Sequence, residues 1–372
     1  MSNSRPKKIA CFFGTRPEAI KFVSLINAIQ DNPNFELKII VTGQHKEMLY
    51  QVLDFFQIKP DIDFDLMRPD QTLLSFTSRC IEKAQEYFTK SLPDVILVQG
   101  DTVSAYVGAL VGFHLNIKVG HVEAGLRSHD LYSPFPEEGY RQMISRISTY
   151  HFAPTKLAYD NLLNEGIKDS VFQCGNTVID ALLKGTDLVK KNENAFKNKF
   201  KNIEFNHKSI LVTAHRRESF GEPFERICNA LLKIVNENKD CQIIFPVHLN
   251  PNVRSVVYKL LIHERIHLIE PLSYQDLIYF LLNSYMVITD SGGIQEEAPT
   301  LGKPVLVIRD VTERVEGIIA GTAILVGTNS DKIFSKANDI LNNDLEYEKM
   351  ANSVNPYGDG NSAYKILEHL NG

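Results

Sequence analysis

Two α/β domains, each a parallel sheet dressed with helices, are what this 372-residue sequence predicts. Three observations carry that expectation. Short apolar runs alternate with amphipathic helical patterns almost from end to end, the mark of βαβ units. The chain is longer than one hydrophobic core usually serves, which makes two domains the default. Charged and glycine-bearing motifs stand directly after the apolar runs, where the strand ends of an open parallel sheet line one ligand crevice.

The elements follow in order. A strand at 8–13 breaks at Gly14-Thr15-Arg16 and gives way to a helix at 17–30, where Ile20, Val23, Ile26 and Ile29 recur at helical spacing. Further strands are expected at 36–42, 94–99, 117–122, 150–153 and 171–174. The segment 183–208 is the most polar, rich in lysine and asparagine, and reads as a boundary with a linker beginning shortly after residue 175. The pattern then restarts with strands at 209–213, 242–246, 266–269, 286–289 and 304–308. Phe224, Ile227, Leu231, Ile234 and Val235 mark one face of a helix at 223–238, and another helix is expected at 293–301. A turn-rich NPYGDGN precedes a last helix at 362–371. The expected domains are therefore 1–177, with 358–372 packing back onto it, and 178–357.

Composition narrows the function. A net charge of −5 without a dense basic stripe argues against general nucleic-acid binding. Five scattered cysteines with no CxxC pair fit reduced thiols in the cytoplasm, and no zinc-ligand spacing stands out. Residues 1–13 carry an apolar run too short for a signal-peptide core, and no stretch reaches membrane-spanning length.

The motifs at the strand ends carry the chemistry. DSGGIQEE opens the helix at 293–301, so Ser291, Gly292 and Gly293 would expose backbone amides to an anion, with Glu296 and Glu297 within reach of ribose hydroxyls. A plain glycine turn with acids favoured by the helix dipole explains the same residues. GTRPEAIK has one glycine and lacks the GxGxxG of a dinucleotide site, leaving Arg16 and Lys21 to face a diphosphate or to stand as solvated charges. Asp101 in QGDT and Glu123 in HVEAGLR end neighbouring strands; a helix cap would account for Asp101. Glu137 and Glu138 follow two prolines and read as delivered side chains or as capping charge. His215, Arg216 and Arg217 form a cationic cluster at a strand end, Arg309 and Arg314 add charge near the SGG helix, and His121 and His248 read as supporting residues.

Together these motifs resemble the non-hydrolysing UDP-N-acetylglucosamine 2-epimerases. GTRPEAIK, VTGQHKEML, GDT, VGHVEAGLRS, YSPFPEE, FAPT, GNTVIDAL, TAHRRE, PVHLNP, TDSGGIQEEAP, GKPVLV and TERVEG occur in family order from Lys8 to near residue 360. The resemblance implies a GT-B architecture: two Rossmann-like domains with parallel sheets, an interdomain cleft, and a C-terminal helix returning to the first domain. It also implies a cytoplasmic homodimer that acts on a UDP-amino-sugar without a cofactor or metal, supplying UDP-N-acetylmannosamine for bacterial surface polysaccharide.

Carried over by motif, Asp101, Glu123 and Glu137 are the acid/base and sugar-positioning carboxylates, assisted by His215 and supported by Lys21. Arg16, His215, Ser291, Gly292, Gly293 and Arg314 would hold the phosphates and Glu297 the ribose. Some family members carry a second, activating UDP-sugar site, matched here by Gln44, Arg216 and His248. Glu47 and Asp70 stand where those members have Gln and Arg, and two acids would repel an anionic activator, although Arg68 lies nearby. Tyr140 and Ser219 replace common asparagines. Three rivals share the pattern: a GT-B glycosyltransferase, a UDP-sugar sensor without catalysis, and an epimerase for another amino sugar. Turnover of UDP-N-acetylglucosamine with no acceptor excludes the first two.

Overall fold

The computed structural model describes residues 5–44 and 46–371. His45 of the VTGQHKEML motif lies outside the described residues, as do residues 1–4 and 372 at the ends of the expected first domain. The chain divides into two compact units, one running to Lys184 and resuming at Tyr357, the other Gly185–Pro356.

The first unit is built on β1 (Lys7–Phe13), β2 (Phe35–Val41), β3 (Ile62–Asp63), β4 (Val95–Gln99), β5 (Lys118–Val122), β6 (Tyr150–Ala153) and β7 (Val171–Gln173). All pair in parallel in the order β3-β2-β1-β4-β5-β6-β7. The crossovers are α1 (Arg16–Gln30), α2 (Lys46–Phe55), α3 (Leu73–Lys90), α4 (Val103–His114), α5 (Glu137–Ile147) and α6 (Lys156–Asn164). β4 and the last five residues of β1 are buried on both faces, as a doubly covered parallel strand requires. The order reverses direction between β1 and β4, so the loops after those strands diverge and leave room for a ligand. The register sets Gln99 beside Val122, one residue before Glu123.

After β7, α7 (Thr177–Lys191) carries the chain out of the first unit, and α8 (Glu193–Lys199) follows at once. The sequence suggested a linker here; the structure has helix instead. Buried Ile179, Leu182 and Val189 give α7 an apolar stripe, and Phe196 of α8 stacks on Tyr279 at 5.3 Å. The lysines and asparagines are the wet faces of those helices.

The second unit has β8 (Lys208–Thr213), β9 (Cys241–Pro246), β10 (Ile266–Ile269), β11 (Met286–Thr289), β12 (Val305–Val307) and β13 (Ala323–Leu325), all parallel, in the order β10-β9-β8-β11-β12-β13. That is the same reversal, now between β8 and β11. Its helices are α9 (Glu222–Glu237), α10 (Pro251–Leu260), α11 (Tyr274–Asn283), α12 (Gly292–Thr300), α13 (Val315–Ala320), α14 (Ser330–Asn342) and α15 (Asp344–Ala351). α9 buries the five residues its periodicity marked, each contributing about 1.5–3 kcal/mol of transfer free energy. β3 and β13, two and three residues long and at one edge of each sheet, went unforeseen.

α16 (Ser362–Asn371) returns to the first unit. It buries Ile366, Leu367 and Leu370; His369 stacks on Phe172 at 3.8 Å, and Lys7 Nζ donates to the carbonyl of Leu370 at 2.5 Å.

Candidate active site

In the first unit the site residues sit on the loops after β1, β4 and β5. After β1 the chain turns through Gly14, where an added Cβ would lie 2.0 Å from Thr42 Oγ1 and 2.3 Å from Ser104 Oγ, so only glycine fits. Thr15 is extended and caps α1, and Glu18 closes a capping box: its Oε2 accepts from the amides of Gly14 and Thr15 at 3.0 and 2.8 Å, and its Oε1 from Thr102 Oγ1 at 2.7 Å. Burial pushes the Glu18 carboxyl up to about 7 against those donors. Glu18 therefore holds the loop that leads into α1. Arg16 lies half-buried in the first turn of that helix.

Lys21, one turn further on, does not face an open diphosphate site. Its ammonium sits 2.5 Å from both oxygens of Glu123. Glu123 is buried at 8 % exposure and held in the left-handed region at φ +64°, a conformation that costs a non-glycine residue energy and recurs at functional sites. Two neutral amides complete its clamp: Gln99 Nε2 donates to Oε2, and Asn176 Nδ2 donates to Oε1 at 3.2 Å. Gly100 (φ +67°) presses against the same carboxylate, since a Cβ there would stand 3.3 Å from Glu123 Oε2.

Asp101 is not a helix cap. Thr102 caps α4, its Oγ1 accepting from the amide of Ala105 at 3.0 Å, while Asp101 accepts from Arg141 Nε at 2.7 Å. Arg141 is buried and also reaches Glu138 Oε2 at 3.4 Å. Glu138, fully buried, takes the amide of Ser128 at 3.0 Å and Gln142 at 2.9 Å, bracing the loop before α5. Glu137 differs. Its Oε2 is buried without a hydrogen-bond partner among the described residues. His121 Nε2 pairs with the carbonyl of Gly100 at 2.7 Å, and burial pushes its pKa down to about 3, so the ring is neutral. Tyr140 stacks on Tyr106 at 5.2 Å.

In the second unit the candidates gather at the carboxyl ends of β8 and β11. Asp290, fully buried, accepts from the amides of His215 and Arg216 at 2.6 and 2.7 Å through Oδ2, with His215 Nδ1 3.3 Å from Oδ1. The His215 ring stacks on that of His248 at 5.3 Å. Ser291, Gly292 and Gly293 open α12; Ser291 makes no side-chain cap. Among the described residues, no acceptor is bonded to the amides of Gly292 and Gly293. The Arg314 guanidinium lies over this helix start, 3.6 Å from where a Gly292 Cβ would be, and its Nε donates to Glu296 Oε1 at 2.6 Å. Glu297 accepts from the Tyr274 hydroxyl at 2.9 Å, with Oε2 turned toward Gly293. Arg309 does not join this cluster; it pairs with Glu218 at 2.6 Å.

The candidates for an activator site fall in different units. Gln44 accepts from Ser104 Oγ at 2.9 Å and lines a cavity of about 270 Å³ with Arg68 and Asp70 in the first. Arg216 and His248 belong to the second. Glu47 is exposed on α2. Among the described residues no three His, Cys, Asp or Glu converge as a metal ion would require, and no helix is long and apolar enough to cross a membrane.

Sequence reasoning passed over Gln99, Asn176, Arg141 and Asp290. Each lay inside or beside a motif already singled out; neutral amides and a buried arginine give no signal until their partners are known.

Residues 27–371 match the family profile described as UDP-N-acetylglucosamine 2-epimerase. The chain is 48% identical over 368 residues to the UDP-N-acetylglucosamine 2-epimerases of Salmonella typhimurium and of Escherichia coli K12, covering 98% of this chain and 98% of each relative. Among solved structures it is similar to the Neisseria meningitidis UDP-GlcNAc 2-epimerase bound to UDP-GlcNAc, with a TM-score of 0.90 and 44% identity over 98% of this chain and 99% of that one. The fold class is accordingly α/β of the GT-B type, built from two Rossmann-like parallel sheets.

Proposed function

Since the chain belongs to the UDP-N-acetylglucosamine 2-epimerase family and is an isomerase of that kind, we propose that it interconverts UDP-N-acetylglucosamine and UDP-N-acetylmannosamine without hydrolysis. The proton on carbon 2 is not acidic in the intact sugar. Breaking the bond between carbon 1 and the UDP oxygen creates oxocarbenium character next to it, and a base then removes the proton. The C–H electron pair becomes the carbon 1–carbon 2 double bond of 2-acetamidoglucal. UDP re-adds at carbon 1 while a proton reaches carbon 2 from the opposite face. Such chemistry needs carboxylates in more than one environment and strong stabilisation of the departing diphosphate.

The observation that carries the proposal is the contrast among the first unit's carboxylates. Glu123 is clamped by one ammonium and two amides, a site built for the ionised form. Asp101 leans on Arg141, and Glu137 keeps an oxygen without a donor among the described residues. We assign these three to proton transfer and sugar positioning, Lys21 to neutralising Glu123, and His215 to assistance. UDP falls to the second unit: open amides at Gly292 and Gly293 with Ser291, the guanidinium of Arg314 and the His215 loop for the phosphates, Glu297 for the ribose. Arg16 adds a phosphate contact. The activator role of Gln44, Arg216 and His248 is opposed by the acidity of Glu47 and Asp70. We further propose a cytoplasmic homodimer that feeds surface polysaccharide synthesis.

Proton NMR with UDP-N-acetylglucosamine alone in deuterated water tests the reaction. The expected result is both UDP-sugars with deuterium at carbon 2. Free N-acetylmannosamine with UDP, or no turnover without an acceptor, overturns it. Asp101→Asn is expected to abolish turnover; a wild-type rate sinks that assignment.

A further inference from the structure

The amide of Asn176 makes a contact that neither capping nor packing requires. It lies 3 % exposed, immediately before α7, and is held through backbone and side chain alike. Four of these bonds matter: its backbone amide donates to the carbonyl of Tyr357 at 2.7 Å, its carbonyl accepts from the amide of Ile179 at 3.0 Å, its Oδ1 accepts from the amide of Val178 at 3.1 Å, and its Nδ2 donates to Glu123 Oε1 at 3.2 Å. The orientation of the side-chain amide is thereby fixed. A flip would point a donor at the Val178 amide and an acceptor at a carboxylate.

Position adds to this. α7 takes the chain out of the first unit, and Tyr357 is where the chain re-enters it. Asn176 is bonded to both connections and to the carboxylate between them. The surroundings leave no slack: a Cβ on Gly175 would meet Ser362 Oγ at 2.6 Å, and one on Gly358 would meet the Asn176 nitrogen at 3.4 Å. Taking Glu123 as a member of the catalytic set, on which this inference rests, we infer that Asn176 is a positioning residue. It ties the Glu123 carboxylate to the start of α7, the helix that carries the chain out of the first unit, and to Tyr357, where the chain rejoins it. Lys21 and Gln99 supply charge and a second amide, but neither ties Glu123 to those connections.

Asparagine is the residue this task needs. Serine can still accept from the Val178 amide, as short hydroxyl residues do at helix starts, but is too short to reach Glu123. Aspartate keeps the shape and places a carboxylate against a carboxylate. The test uses full-length Asn176→Ser, Asn176→Asp and Glu123→Gln. Epimerisation rates are normalised to UDP-binding sites counted by calorimetry, and melting is recorded alongside. Asn176→Ser should melt close to wild type and keep KM within about twofold, while kcat falls about 10-fold or more, the loss expected when a hydrogen bond to a charged group is removed. Asn176→Asp should fall further. A wild-type kcat in Asn176→Ser, with Glu123→Gln inactive, overturns the inference alone. A fully active Glu123→Gln overturns the catalytic reading beneath it. Failure of both Asn176 variants to bind UDP or to melt cooperatively also overturns it, because the residue is then structural.

Discussion

Removing Asp290 tests whether the His215 loop is held by one buried carboxylate. Asp290 is 0 % exposed and takes two backbone amides, those of His215 and Arg216, at 2.6 and 2.7 Å. Asp290→Ala removes two part-buried bonds to a charged acceptor, at about 1.5–3 kcal/mol each, so about 4 kcal/mol in total. Asp290→Asn can keep an oxygen on the amides and turn its NH₂ toward His215 Nδ1. It loses only the charge assistance, about 1 kcal/mol per bond and about 2 kcal/mol in all. For a unit of this size each kcal/mol moves the melting temperature by about 2–4 °C. Calorimetry should therefore show the second unit's transition falling by about 8–16 °C in the alanine variant and about 4–8 °C in the asparagine variant. The site should respond in step: UDP affinity should weaken more in Asp290→Ala, because His215 and Arg216 lose their brace. Two variants that both melt within about 2 °C of wild type would refute the reasoning, since the amides would then have another acceptor.

Three further outcomes follow from the same geometry. Gly100→Ala puts a Cβ 3.3 Å from Glu123 Oε2 at φ +67°, and is expected to lower kcat with little change in UDP affinity; unchanged turnover counts against a tightly built Glu123 clamp. Arg314→Met removes the guanidinium over the α12 start and its bond to Glu296, so UDP should bind about 10-fold or more weakly by calorimetry and the protein should melt lower; unaltered UDP affinity would remove Arg314 from the phosphate site. His121, neutral in the folded protein with its pKa pushed down to about 3, takes up its proton near 6.5 when unfolded. Stability should fall with acidification through that window, by up to about 1.4 kcal/mol per pH unit. His151, pushed down to about 4, acts in the same direction, and Glu18, raised to about 7, opposes both until its unfolded value of 4.5 is passed. His121→Gln should flatten the decline in melting temperature between pH 6.5 and 3; an identical slope refutes a buried neutral ring.

Much of the fold was legible because a doubly covered parallel strand must be apolar throughout and a covering helix must repeat its apolar residues every three to four positions. The IACFF run and the five marked residues of α9 satisfy those demands and became the buried part of β1 and one wall of the second core. α7 and α8 escaped notice because they meet the protein along a narrow stripe and leave a broad lysine-rich face in water. The site divides in the same way. Charged residues at strand ends announced Asp101, Glu123 and the SGG turn, since a charge in that place needs a reason. Their partners did not. Gln99 and Asn176 are ordinary amides in sequence, and Arg141 an ordinary helical arginine, until the sheet order sets β4 beside β5 and the loop after β7 beneath Glu123.

The two helix starts show how a single residue decides what such a turn can bind. Both α1 and α12 follow a central strand at the reversal of a parallel sheet, and both begin with a hydroxyl residue in the cap position, Thr15 and Ser291. Three residues on, α1 has Glu18 and α12 has Ile294. A glutamate there folds back and takes the loop amides, as Glu18 does with Gly14 and Thr15. Isoleucine has nothing to offer them and turns into the core instead. The loop before one helix is thus held by that helix's own carboxylate, while the first amides of the other have no bonded acceptor among the described residues. The pattern Thr-Arg-Pro-Glu against Ser-Gly-Gly-Ile is visible in the sequence: Pro17 removes the second amide of α1, whereas α12 opens on two glycine amides. On the reading proposed above, Arg16 would meet UDP through its guanidinium and the second unit would take the diphosphate.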